Sequence, residues 1–142
     1  MSVFNFVKSA GNKLFNRGKS EPEALKDHGD SLGLKVSNLD VDFADGKVIA
    51  RGTAASQEER EKMVLALGNV EGVEAVDEHI EVEGPVDEST FYTVQRGDTL
   101  GAIAQRHYGK ASAFPKIFEA NRPMLEHPDR IYPGQVLRIP PA

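Results

Sequence analysis

The segment Gly84-Pro85-Val86-Asp87-Glu88-Ser89-Thr90 constrains this chain more than any other. It has no hydrophobic period and sets a glycine beside a proline, so neither a helix nor a strand continues through it. It reads as a linker, with a unit at 21–83 before it, a unit at 91–142 after it and a further segment at 1–20. Units of about 50–70 residues bury little surface and are marginal alone. Hydrophobic residues at 39% and charged residues at 27% still predict folded units. The chain has no cysteine, which excludes disulfides, thiolate zinc sites, iron–sulfur clusters and cysteine nucleophiles. A reducing compartment is the expectation.

Charge follows the same division. The net value is −5, but residues 1–20 carry four bases and no acid. Residues 21–90 carry 6 bases against 18 acids, a net −12, and residues 91–142 carry 7 against 4, a net +3. An acidic middle between basic ends suggests separate functional parts and argues against a nucleic-acid binder.

At the N-terminus, Asn5 breaks the short apolar run and Lys8 follows it, so no secretory signal is read. No window approaches the ~20 apolar residues of a membrane span. The expected location is the cytoplasm. Val3, Val7, Ala10 and Leu14 fall on one helical face with Phe4 and Phe15 beside it, which predicts an amphipathic helical arm over 1–20 packed on its own protein. Such a helix also suits a membrane surface.

Ser20 with Glu23 and Ser56 with Glu59 form two capping boxes, opening helices over 21–34 and 57–67. Between them, Leu39, Val41 and Phe43 alternate with aspartates, Asp45-Gly46 supplies a hairpin turn, and Val48 and Ala50 alternate on the return. Gly68 is expected to stop the second helix in a left-handed conformation. Val73, Val76, Ile80 and Val82 mark a third strand. The order is αββαβ. After the linker, a strand near Phe91–Val94, helices starting at Asp98 or Thr99 and at Ser112, and a closing strand through Val136, Leu137 and Ile139 give βααβ. The fold class is α+β, with helices on one face of a small sheet.

Few motifs carry chemistry. Asp40 to Gly46 hints at a calcium loop, but Ala44, Asp45 and Arg51 occupy positions that require other residues. His28, His79, His107 and His127 lack zinc spacing. There is no nucleophile elbow, phosphate loop or dinucleotide fingerprint, so an enzyme is not expected.

The second unit resembles a LysM domain. The resemblance rests on Tyr92-Thr93-Val94-Gln95-Arg96-Gly97-Asp98-Thr99-Leu100, Ile103-Ala104, Phe118-Glu119-Ala120-Asn121 and the run from Ile131 to Pro140. It implies binding of N-acetylglucosamine polymers in a groove at Gly97, Asp98, Thr99 and Leu100 and at Ile131, Tyr132 and Pro133. The first unit is similar to a BON domain over 21–83, through the Asp45-Gly46 hairpin, Val48 to Gly52, the helix 57–67 and Val70-Glu71-Gly72-Val73-Glu74-Ala75-Val76. A start like Met1-Ser2-Val3-Phe4-Asn5-Phe6-Val7-Lys8, followed by both units, resembles the small bacterial potassium-binding proteins. That resemblance implies a soluble sensor or buffer that binds one potassium ion and becomes more compact; a monomer is expected.

Potassium is large and singly charged, and backbone carbonyls can replace its water shell without any side-chain motif. Helix C-termini offer such carbonyls. Leu67 to Val73 is the best candidate, with the arm around Val7, Ala10 and Gly11 docking beside it. The expected ligands are the carbonyls of Val7, Ala10, Gly68, Val70 and Val73. The plain alternative is that Gly68 only caps a helix and Gly72 only makes a turn. A cell-wall binding module and a membrane-surface adaptor are the competing functions.

Overall fold

The computed structural model describes residues 2–15, 18–86 and 89–141. A strand β1 (Ser2–Asn5) leads, followed by helix α1 (Glu21–Ser31), strands β2 (Val36–Ala44) and β3 (Lys47–Ala54), helix α2 (Gln57–Gly68) and strand β4 (Ala75–Val82). Strand β5 (Thr90–Thr93), helices α3 (Leu100–Tyr108) and α4 (Phe114–Ala120) and strand β6 (Val136–Ile139) complete the chain. In the expected linker, Gly84, Pro85 and Val86 are exposed, while Asp87 and Glu88 lie outside the described residues.

The first sheet has the order β1-β4-β3-β2. Strands β2 and β3 form an antiparallel hairpin, and Asp45 and Gly46 both take positive φ, 52° and 79°, as a two-residue hairpin turn requires. Strands β3 and β4 are parallel, so the chain crosses over through α2. Both capping boxes form at their first bond: Ser20 Oγ accepts from Glu23 N and Ser56 Oγ from Glu59 N, each at 3.3 Å. Leu25, Val41, Val48, Met63, Val76 and Ile80 anchor the core between sheet and helices. In the second unit, β5 and β6 pair antiparallel beneath α3 and α4 around Ile103, Ile117, Leu125 and Leu137. Thr99 caps α3 by accepting from Ala102 N at 3.0 Å, and Gly109 ends it at φ 77°.

Two expectations are corrected. The N-terminal segment is not helical in its described residues; Met1, Asn16 and Arg17 lie outside them. Instead Ser2–Asn5 pairs antiparallel with Glu78–Ala75. The helical stripe would have buried Val3 and Val7, which are 55% and 39% exposed. Phe4 and Phe6 turn inward on either side of exposed Asn5, so a period of two prevails. That pairing covers the edge of β4, which would otherwise present unpaired backbone groups.

Gly68 also has another role than the one expected. It is the last residue of α2 and is absent from the positive-φ glycines; Asn69, at φ −79°, is the cap residue. Gly68 is required by packing. A Cβ there would overlap Phe6 Cζ and both Phe6 Cε atoms, well under the 3.0 Å that real Cβ atoms keep.

The two units share a buried boundary. Val136 belongs to the first core, and Phe4 meets Phe91 edge-on at 4.9 Å. Arg138, 5% exposed, donates from Nε to Glu61 Oε1 at 3.0 Å, while Glu61 is 2% exposed. Further bonds surround the pair: Arg138 reaches the Ala120 carbonyl and Ser89 Oγ, and Glu61 Oε2 accepts from Gln57 Nε2 and Ser89 N, while Gln57 Oε1 is buried without a partner among the described residues. A buried ion pair is tolerable only with such additional hydrogen bonds.

Candidate cation site

Helix α2 ends beside the N-terminal arm, and backbone bonds join the two. Phe6 N donates to the Glu74 carbonyl at 3.0 Å, which seats the Phe6 ring on Gly68. Gly72 N donates to the Lys8 carbonyl at 2.7 Å. Asn12 N donates to the Asn69 carbonyl and Glu71 N to the Asn12 carbonyl, both at 2.9 Å, making a parallel bridge between Asn12 and Val70. Gly11 lies at φ 108°, where a Cβ would stand 2.5 Å from Asn69 carbonyl atoms. A side chain at Gly11 would push the arm off the loop.

The five carbonyls expected from the sequence therefore fall on two segments that touch. Val7 O accepts from Ala10 N and Val70 O from Val73 N, each at 3.0 Å, and each oxygen keeps a second lone pair. Among the described residues, no donor is hydrogen-bonded to the carbonyls of Ala10, Gly68 or Val73. Val73 is 0% exposed and Gly68 is buried. Buried carbonyls are ordinarily paired, so these two call for a partner. The last turn of α2 also contains no basic side chain, leaving the negative end of its dipole free for a cation. No group of three or more His, Asp or Glu converges among the described residues, so no carboxylate cage competes there.

The residues expected to hold a glycan are divided. Tyr132 and Pro133 line an open groove of about 520 Å³ together with Gln95, Arg96, Val7 and Ala10. Gly97, Asp98, Thr99 and Leu100 do not line it, and Ile131 packs on the second core. Gly97 is exposed in a turn, and Leu100 is buried. Thr99 is the α3 cap, and Asp98 accepts from the Tyr92 hydroxyl, from Gln95 N at 2.8 Å and from Arg106 at 2.9 Å. The Tyr92 hydroxyl and the Gln95 amide hold the Asp98 carboxyl below the usual carboxylate range. Burial pushes the Tyr132 hydroxyl up to about 12.

Sequence reasoning missed Phe6 and Asn69. The alternation of Phe4 and Phe6 was the available signal for the first; an asparagine directly after a helix-ending glycine was a weak signal for the second.

Comparison with known proteins fits this architecture. The BON domain family matches residues 23–84 and the LysM domain family residues 92–140. The potassium binding protein Kbp of Escherichia coli O6:H1 is 44% identical, over 99% of this chain and 99% of its own. An uncharacterized protein of Deinococcus radiodurans is 33% identical over 86% of this chain and 51% of its own length.

Proposed function

This chain belongs to the family of the potassium binding protein Kbp, and on that premise we propose that it binds a potassium ion through the backbone carbonyls of Val7, Ala10, Gly68, Val70 and Val73. The observation that carries this reading is the pair of buried residues, Gly68 and Val73, whose carbonyls have no donor among the described residues, beside an arm that supplies more. Carbonyl dipoles suit a large monovalent ion, whereas calcium and magnesium favour carboxylates. The protein acts as a monomeric cytoplasmic sensor or buffer, not an enzyme. Ion binding holds the arm, the BON unit and the LysM unit together, with 84–90 as the joint, and makes the chain more compact. The net −12 of residues 21–90 raises local cation concentration without selecting potassium.

Titration calorimetry at constant ionic strength tests this. Potassium and rubidium chloride are expected to give saturable one-site heats and to raise the melting temperature; sodium and calcium chloride are not. Equal responses to potassium and sodium would overturn the reading. The LysM match favours a second reading, binding of peptidoglycan or chitin oligomers. Retention on insoluble peptidoglycan, competed by chitin oligomers, is its test.

A further inference from the structure

Asn69 stands between two of the carbonyls assigned to the ion, and its own atoms tie three parts of the molecule. Its N–H donates to the Leu65 carbonyl at 2.9 Å and closes α2. Its carbonyl accepts from Asn12 N of the arm at 2.9 Å. Its side chain turns to the second unit, where Nδ2 donates to the Val136 carbonyl and Oδ1 accepts from Val136 N, both at 2.9 Å. Among the described residues the β5–β6 sheet has two strands, so the outer edge of β6 has no third strand to pair with. The Asn69 amide supplies that pairing at Val136, which is 5% exposed. An amide alone among short side chains offers one donor and one acceptor side by side.

The second attachment of β6 is of another kind. Arg138, two residues further along, holds Glu61, eight residues back along α2 and about 12 Å away at 1.5 Å per residue. That anchor shares no peptide with the loop 68–73. The Asn69 clasp shares both of its flanking peptides with it.

We propose that Asn69 is a positioning residue for the cation site: its clasp on Val136 fixes the Gly68 and Val70 carbonyls, so that ion affinity depends on docking of the second unit at this point. The inference rests on the potassium reading above. Coupling is reciprocal, so the ion in turn tightens the clasp.

The test uses the full chain, which has no cysteine of its own. Asp40→Cys and Lys110→Cys, both exposed positions, carry a fluorophore pair that reports the distance between units. Potassium titrations are run on this protein, on Asn69→Ala, on Asn69→Asp and on Arg138→Lys. Asn69→Asp keeps the shape but cannot donate to the Val136 carbonyl, which keeps the test alive if the alanine variant fails to fold. Both Asn69 variants are expected to raise the potassium Kd about tenfold and to diminish the potassium-dependent distance change. Arg138→Lys is expected to lower the melting temperature while moving Kd far less. An unchanged Kd and distance response in the Asn69 variants, with the parent binding potassium, overturns the inference alone. So does an equal Kd shift in Arg138→Lys, which would make docking in general the cause. Absence of a potassium-specific response in the parent overturns the potassium reading itself.

Discussion

Gly68→Ala offers the sharpest test of how the arm is held. In a helix interior this change is ordinarily stabilising, by up to about 1 kcal/mol. Here the new Cβ overlaps three atoms of the Phe6 ring, and Phe6 is only 9% exposed. The ring must leave its seat, forfeiting much of the ~1.5–3 kcal/mol that burial of a large apolar side chain contributes. The net expectation is a loss of about 1–2 kcal/mol after the helix gain is subtracted. Phe6→Ala alone should cost about 3 kcal/mol, the low end for a buried aromatic because this one lies at the core margin. The double variant should be no less stable than Phe6→Ala, since no ring remains to clash. The cycle therefore closes with a coupling of about 2 kcal/mol, measured by urea unfolding of all four proteins. Additive effects would refute the packing argument. A loss in Gly68→Ala that persists in the Phe6→Ala background would point to backbone strain, as a left-handed helix stop would produce. Calorimetry on the same variants should show weaker potassium binding wherever the ring is unseated, because the arm carries Val7 and Ala10.

Three further outcomes are expected. Arg138→Met leaves the Glu61 carboxylate buried without its cation, and urea unfolding should show a loss of about 3–5 kcal/mol. Gly11→Ala combines an unfavourable φ of 108° with a Cβ driven against Asn69; its potassium Kd should rise severalfold while the unfolding midpoint of the second unit stays put. In an alkaline titration followed by phenolate absorbance, all three tyrosines should ionise above the ordinary value, with Tyr132 near 12. The sign is fixed by proton count: above the unfolded value near 10 the folded state binds more protons, so stability falls as pH rises toward 12. Ionisation of Tyr132 at its ordinary value in the folded protein would refute its burial.

The capped helices, the Asp45-Gly46 hairpin and the αββαβ then βααβ order were legible because each rests on local chemistry: side-chain oxygens at helix starts and a turn that needs positive φ. The arm was misread because residues 3–7 satisfy two periods at once. Helical spacing links Val3 to Val7, and strand spacing links Phe4 to Phe6. What decides between them is the open edge of β4, some 70 residues away in sequence. Gly68 was singled out for a conformational reason and is needed for a steric one, since nothing near it in sequence announces that Phe6 will lie across it. Arg138 inside the apolar run Val136-Leu137-Arg138-Ile139 was a visible anomaly, but its partner Glu61 belongs to the other unit. Carbonyl ligands leave still less trace, because every residue has one and only the fold decides which are left unpaired.

The arm is the element that an ion can most readily control. Among the described residues it is held by one short edge strand, by the rings of Phe4, Phe6 and Phe15 packed on Phe91, Gly68 and Phe43, and by backbone bonds to Asn69, Glu71, Gly72 and Glu74. Such elements lie at the low-stability end of a protein and open locally without global unfolding. A ligand that binds only the docked arrangement stabilises it by about 2.7 kcal/mol at a hundredfold excess over Kd. That is similar in size to the burial of the single Phe6 ring. The ion therefore shifts the arm by that amount only if it prefers the docked arrangement at least about a hundredfold. Breaking the buried Arg138–Glu61 pair costs more, about 3–5 kcal/mol. On the potassium reading proposed above, the ion would act on the arm and the helix end it covers, while the Arg138–Glu61 pair joins the two units.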